Sequence, residues 1–350
     1  MNAPLLELEG ALDRPARGFG RHLGHHFGRS PALAVGSVLV VFFSLLALAA
    51  PWLAGDPNEA FDPVAGKLLP PGSLRVPLEL ADGRGGRLVE SAERRGDQVV
   101  AVWRGEPRSW DAAEIANLEP DGGPPPPRRF LLGTDRFSRD VWARVLHGGR
   151  VSLSIGLLAM LFASLAGALV GTVAGMANEW VDNALMRFTD ACLAIPRIFL
   201  LVLLVAFFRP GVVALVLVIG ATNWMAAARL VRAEILSLRE RSFVAAARGL
   251  GAGPLRLAFV HLLPNALTPL AVYAGTIVGG VILLESALSF LGLGVPQPTP
   301  SWGAMLDEGG DHLGAWWLTT MPGLALVATV IAFNLLSDGL RDLLDPRDRR

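Results

Sequence analysis

Six separated runs of apolar residues, near 31–53, 151–175, 187–208, 211–232, 266–290 and 317–337, limit what this chain can fold into more than any other feature. About 20 apolar residues cross the hydrocarbon of a bilayer as a helix. Backbone polar groups in lipid must be satisfied within the segment itself, which excludes irregular spans. The runs therefore predict an all-α polytopic membrane protein with six transmembrane helices. Only 18% of the residues are charged, against about 25% in soluble domains. Arg197 interrupts the third run and leaves a short clean stretch after it. The first run follows a basic leader and contains Ala47-Leu48-Ala49, which resembles a cleavage site. Its apolar stretch exceeds the roughly 7–15 residues of a secretory signal, so it is expected to stay as a span.

Arginine placement orients the spans. Arg14, Arg17, Arg21 and Arg29 precede the first; Arg229, Arg232, Arg239, Arg241, Arg248 and Arg256 lie around the joint between the fourth and fifth; Arg347, Arg349 and Arg350 end the chain. With six spans all three groups fall on one side, and the positive-inside rule makes that side cytoplasmic. The expected organisation is a cytoplasmic leader (1–30), span 1 (31–53), an extracytoplasmic insertion (54–130), a core (131–340) with a cytoplasmic loop at 234–265, and a cytoplasmic tail (341–350). The insertion reads as a small β-rich cap. Leu74, Val76, Leu78 and Leu80 alternate with polar residues and proline, Gln98 to Trp103 reads as a second strand, and Asp82 to Gly86 is a turn. Asp111 with Glu114 has the spacing of a capping box for a short helix to Leu118. Pro124 to Pro127 is a stiff linker back to the membrane. The insertion reads either as a docking aid for an extracytoplasmic partner or as a tolerated surface addition.

Several chemistries are excluded or left without support. The single cysteine, Cys192, rules out an internal disulfide and a cysteine zinc cluster. His22, His25 and His26 cluster without a carboxylate at helical spacing, which favours a solvated leader over a metal site. A P-loop needs a lysine in G-x-x-x-x-G-K-[ST]. The one lysine, Lys67, is followed by Leu68. No catalytic motif, cofactor site or nucleic-acid footprint is expected, and any ATP chemistry must come from another protein.

Inside the spans, Ala163, Gly167, Gly171 and Gly175 recur every four residues, and Gly275 with Gly279 repeats the device. Small residues at that spacing let membrane helices approach closely. Ionisable groups in lipid are costly and mark polar pathways or interfaces. Asp190 and Arg197 share a face of the third run, Arg187 stands at i−3 from Asp190, and Glu285 lies toward the outer end of the fifth. They read either as a pathway or gate, or as interface charges with Arg197 snorkelling.

Between the fourth and fifth spans lies RSFVAAARGLGAGPLRLAFVHLLPN, Arg241 to Asn265. Phe243, Ala246, Ala247 and Leu250 fall on one face of a short helix, and Arg241 and Arg248 on another. Gly249, Gly251 and Gly253 then permit a sharp bend. Pro254 suits the first position of a second helix, which Pro264 is expected to end. A helix lying in lipid headgroups would need neither the glycines nor the alanine face; a tight protein contact would.

These residues resemble the cytoplasmic loop of permease subunits of ATP-binding-cassette importers, whose EAA…G motif forms a helix that docks on the ATPase. The chain is similar in particular to the dipeptide, oligopeptide and nickel permease group. The likeness extends to Leu132-Gly133-Thr134-Asp135 with Arg139-Asp140-Val141, to Gly149-Arg150-Val151-Ser152-Leu153, to the stretch Leu284 through Gly294, and to Asn334 through Asp342. It covers span 1 and about 130 to the end, and leaves the longer than usual 54–130 region uncovered. The family's first motif position often holds glutamate and here is Ala245; its glycine is Gly251. Ser138 stands where the group commonly has glycine, which reads as a minor change. The resemblance implies an ATPase-coupling loop carried by Phe243, Ala245, Ala246, Ala247, Leu250, Gly251, His261 and Pro264. It implies a bacterial cytoplasmic membrane, a second permease subunit, two ATPase subunits and an extracytoplasmic solute-binding protein, with peptides ahead of nickel as cargo. An ion-coupled transporter and a non-transporting assembly protein are the rival readings.

Overall fold

A computed structural model describes residues 31–83, 85–207 and 211–344. The clustered histidines, the basic leader and the arginine-rich tail lie outside the described residues. Helix α1 spans Pro31–Leu53. After an insertion come α2 (Val141–Met176), α3 (Glu179–Ala194), α4 (Arg197–Phe207), α5 (Val212–Ala221), α6 (Trp224–Arg239) and α7 (Ser242–Gly249). Helix α8 runs without interruption over Pro254–Phe290, and α9 (Trp302–Gly310) and α10 (Trp317–Leu344) complete the set.

The fold is helical and built of long apolar segments, and the six expected spans fall into two kinds. Among the described residues, α1, α2, α8 and α10 are each long and apolar enough to cross a membrane, and α5 with α6, bent by 42° between them, is so only as a pair. The third apolar run is instead divided. Ile195 is extended before Pro196, so α3 ends at Ala194 and α4 restarts with only 11 residues. A residue before proline is pushed out of the helical region, which is why the helix stops rather than bends. The bend between α5 and α6 has a side-chain cause: Thr222 Oγ1 (3.0 Å) and Asn223 Nδ2 (2.6 Å) both donate to the Ile219 carbonyl, in competition with the helical ladder.

Helices α2 and α8 form the centre. Ile155 and Ala159 of α2 pack with Val281 and Leu288 of α8 and with Leu215 and Ile219 of α5. On another side Ala47 of α1, Val278 and Ile282 of α8 and Phe333 of α10 close a second core. Glycines set the closest approaches. A Cβ on Gly171 would stand 2.5 Å from the Ala228 carbonyl oxygen, and one on Gly175 2.7 Å from Ile235 Cγ2, so the four-residue repeat of α2 is its contact with α6. Gly36 of α1 and Gly339 of α10 make a similar crossing that the sequence pattern did not suggest; a Cβ on Gly36 would lie 2.7 Å from the Leu335 carbonyl carbon.

The insertion holds two three-stranded antiparallel sheets. Strands β1 (Ser73–Glu79), β2 (Gly86–Val89) and β6 (Arg128–Phe130) form one in the order β2-β1-β6. Strands β3 (Ser91–Arg95), β4 (Gln98–Trp103) and β5 (Glu106–Asp111) form the other. Val76, Leu78, Val89, Val99, Ala101 and Ile115 fill the space between them. The helix expected from Asp111 to Leu118 is absent: only a 3-10 turn at Ala112–Glu114 forms, and Asp111 gives no side-chain cap. Its carboxylate instead accepts from Gln98 Nε2 at 3.2 Å, across the β4–β5 pair.

Candidate functional site

The joint after α6 is built on a closed helix end. Gly251, at φ +86°, occupies the left-handed position that terminates α7. Its N–H donates to the Arg248 carbonyl at 2.9 Å, and the Ala252 N–H reaches back to the Ala247 carbonyl at 3.0 Å. This is the Schellman arrangement, which needs glycine at one place. Gly249 remains helical and Gly253 caps α8 at φ −69°, so neither supplies the bend.

Val244 is the buried residue of α7 and seats it against Ile235, Leu257 and Leu262. With that face held inward, Phe243 (42% exposed) and Leu250 (89%) project outward, beside exposed Ala245 and Ala246; Ala247 is half-buried. Leu255 and Val260 extend the apolar surface onto the start of α8. No side chain or backbone atom lies within 4 Å of where a Gly251 Cβ would be. The surface is apolar, shallow and open.

Pro264 does not end the second helix. The stretch Leu257–Leu262 widens to π-helical geometry and the helix continues through Pro264 and Pro269. Proline removes a backbone donor and crowds the preceding turn, and a π-type turn re-spaces the carbonyls it would meet. His261 lies half-buried in this stretch, and its carbonyl accepts from Asn265 Nδ2 at 2.6 Å. The joint and the far end of the fifth apolar run are thus parts of one rod.

At the far end of that rod Glu285 is fully buried. Ser289 Oγ donates to it at 2.8 Å and Ser152 Oγ, from α2, at 3.0 Å. The Trp302 N–H in turn donates to Ser152 Oγ at 3.3 Å. The carboxyl therefore ties α2, α8 and α9 together. Asp190 and Arg197 are not joined to each other or to Arg187. Asp190 pairs with Arg229 of α6, and Arg197 Nη2 donates to Asn223 Oδ1 at 2.6 Å. Both pairs are exposed and both bridge the α3–α4 break to α6 or the residue before it. A further pair, Arg232 with Asp182, holds α3 to α6 at 2.5 Å.

Sequence reasoning missed a second polar centre. Asp135, Arg139, Arg144 and Glu308 are all buried. Arg139 Nε meets Asp135 Oδ2 at 2.6 Å and its Nη2 meets Glu308 Oε2 at 3.1 Å; Arg144 Nε lies 3.4 Å from Asp135 Oδ2. Burial, and then the charge of Asp135, push the Glu308 carboxyl above its usual range, against the pull of Arg144, Arg139 and Arg136. Two cations and two carboxylates compensate one another here, as buried charges must. The only sequence signal was that Asp135 and Arg139 stand four apart; Glu308 is 169 residues away from Arg139.

The insertion is fastened to this centre. Leu69 N donates to Thr134 Oγ1 (2.8 Å), and Thr134 Oγ1 donates to the Gly66 carbonyl (2.5 Å). Ser138, at φ +67° and fully buried, accepts the Asp62 N–H on Oγ at 3.0 Å. A serine in the left-handed region costs about 1–2 kcal/mol, and that hydrogen bond, which glycine could not make, offsets it. Asp62 organises the insertion in turn, accepting from Val64 N, Ala65 N, Leu88 N and Trp103 Nε1 at 2.8–3.0 Å. Burial alone would raise its carboxyl, but these donors outweigh it and hold the group below its usual range.

The profile of a family described as binding-protein-dependent transport system inner membrane component matches residues 167–350. The di/tripeptide transport system permease protein DppC of Pseudomonas aeruginosa is 44% identical over 220 residues, 63% of this chain and 73% of that protein. A Brucella suis protein named as a candidate peptide transport system permease is 42% identical over 224 residues, 64% of this chain and 75% of its own. Among solved structures, a chain of the MetNI methionine ABC transporter in an inward-facing conformation superposes with a TM-score of 0.49 at 20% identity, over 58% of this chain and 97% of that one.

Proposed function

The chain belongs to the binding-protein-dependent transport system inner membrane components, and on that premise we propose how this permease subunit of an ATP-binding-cassette importer is worked and what it carries. Peptides are the proposed cargo, in keeping with the names of the relatives at 42–44% identity. The assembly proposed is a heterodimer with a second permease subunit, two ATPase subunits on the cytoplasmic side and a solute-binding protein on the other. Both termini are proposed to be cytoplasmic, with the insertion outside and with α3–α4, broken at Pro196, completing the sixth crossing.

The observation that carries the mechanism is the exposed apolar joint at the root of an unbroken helix. Phe243, Ala245, Ala246 and Leu250 would form the surface that an ATPase subunit grips, with Gly251 allowing the ATPase to approach the backbone. At 1.5 Å per residue the 37 residues of α8 reach about 55 Å. Displacement of α7 would therefore be felt at Glu285 through a stiff element rather than a chain of loops. A partner can shift the inward–outward equilibrium only by contacting the two states differently, and ATP-driven closure of the ATPases supplies that difference. Asp190 with Arg229, and Arg197 with Asn223, are proposed to face the pathway or the partner permease, because charged groups left in lipid would be costly.

The test is ATP-driven uptake of a dipeptide by the complete transporter in proteoliposomes carrying Leu250→Glu. Uptake should fall at least about tenfold, the effect of removing one well-packed apolar anchor from an interface, with assembly otherwise intact. Undiminished uptake would end the coupling role of this surface, and uptake without ATP would favour the ion-coupled alternative.

A further inference from the structure

One cavity takes no part in coupling or in the buried ion centre. It has a volume of about 320 Å³ and lies between α2, the start of α5 and the loop before α9, lined by Pro57, His147, Arg150, Ser154, Val212 and Thr299. His147, Arg150 and Ser154 follow one another at i, i+3 and i+7, so they line one face of α2. His147 Nε2 is buried with no hydrogen-bond partner, while the ring bonds to the Gly55 backbone. A buried ring nitrogen without a partner is costly and points to a missing ligand. Arg150 is exposed and has no carboxylate within ion-pair distance among the described residues. The adjacent Ser154 hydroxyl donates to the Arg150 carbonyl at 2.6 Å, which steadies the turn that carries the guanidinium.

We propose that this cavity is an oxyanion site at the membrane interface, filled by the phosphate of an anionic phospholipid. A guanidinium and an imidazolium are complementary to phosphate or carboxylate oxygens, with Arg supplying planar paired donors. An anion seated beside the ring would supply the acceptor that Nε2 lacks when it carries a proton. Lipid is favoured over a soluble carboxylate by what lies beneath. Arg150 is the last charged residue before the apolar run of α2. From it Leu157, Leu161 and Leu165, exposed by 40%, 50% and 62%, descend the same side of the helix. A headgroup at Arg150 with acyl chains along that stripe satisfies both the cation and the apolar surface. A soluble solute would use only the first.

The full chain, purified with its partner subunits and stripped of lipid in neutral detergent, can be titrated by native mass spectrometry with a short-chain phosphatidylglycerol. In parallel it is titrated with a dipeptide bearing a free carboxylate and with the amide of that dipeptide. Phosphatidylglycerol should bind the wild type about tenfold more tightly than Arg150→Gln, the loss expected for one charge-assisted hydrogen bond. His147→Gln should weaken it as well, and Arg104→Gln, on the insertion, should not. Dependence on Arg150 seen with the free dipeptide but not its amide or the lipid would keep the oxyanion site and overturn lipid as its occupant. Binding of every ligand unchanged in both Arg150→Gln and His147→Gln would overturn the site itself. Arg150 is exposed, so its variant tests binding without threatening the fold.

Discussion

The joint at 241–256 and the buried centre around Arg139 are both rich in arginine, yet they use it oppositely. In the joint, Arg241, Arg248 and Arg256 are exposed while apolar side chains also face outward. The centre is closed: Asp135, Arg139, Arg144 and Glu308 pair as buried opposite charges, with Arg144 Nη2 left without a hydrogen bond. An open apolar surface calls for a partner, whereas a charge-balanced buried cluster braces whatever it joins. Substitutions should therefore separate folding from transport. In the centre they should strike stability, and in the joint they should strike coupling alone.

The largest stability effect is expected for Glu308→Ala. Removing one member of a buried ion cluster strands the cations and costs about 3–5 kcal/mol, read as a fall in the thermal midpoint of the detergent-purified protein. A small change would mean that water reaches the cluster and that the contrast with the joint is false. Asp62→Asn comes next, at about 2 kcal/mol, because an amide turns two donor hydrogens toward Leu88 N and Trp103 Nε1. Its pH signature sharpens the point. Since the Asp62 carboxyl is held below the ordinary value of 3.8, its contribution is present above that pH and is lost as pH falls through the lowered folded value. Hydrogen exchange at Val64, Ala65 and Leu88 should show this acid loss in the wild type and not in Asp62→Asn.

Ser138 offers a finer cut. Ser138→Ala keeps the left-handed strain and strands the Asp62 N–H, a loss of about 1.5 kcal/mol. Ser138→Gly should recover about 1 kcal/mol of that through relief of backbone strain. Equal melting of the two variants would show that strain plays no part. The smallest stability effect belongs to the joint. Leu250→Ser, at a position 89% exposed, should change unfolding free energy by less than about 0.5 kcal/mol while lowering uptake. A substantial loss of stability there would make the joint another brace.

Some of this architecture could be read along the chain. Periodicity and composition carry local information, so α1, α2, α8 and α10 show as apolar runs, and β1 and β4 show as alternation with one face buried. Strands β3 and β5 escaped because nearly every residue in them is exposed, which erases the alternation. Pro196 by itself signals a bend in the third run, which the structure makes a full break; the bend at Thr222 was hidden within an apolar run, where hydropathy does not register the backbone. In the site, the outward face with Phe243 and Leu250 followed from helical spacing, but the inward role of Val244 did not, since spacing alone cannot say which apolar side meets the core.

What the sequence determined by itself was the class of the molecule and the place of its joint. Both depend on local order: apolar run length against bilayer thickness, and a short helix closed by glycine. Only the tertiary structure decided that the helix after the joint continues through two prolines to Glu285, and that Arg139 finds Glu308. It likewise decided that Ser138 fastens the insertion to the core. Those outcomes depend on distances between residues far apart in the chain, which packing sets and residue order does not reveal.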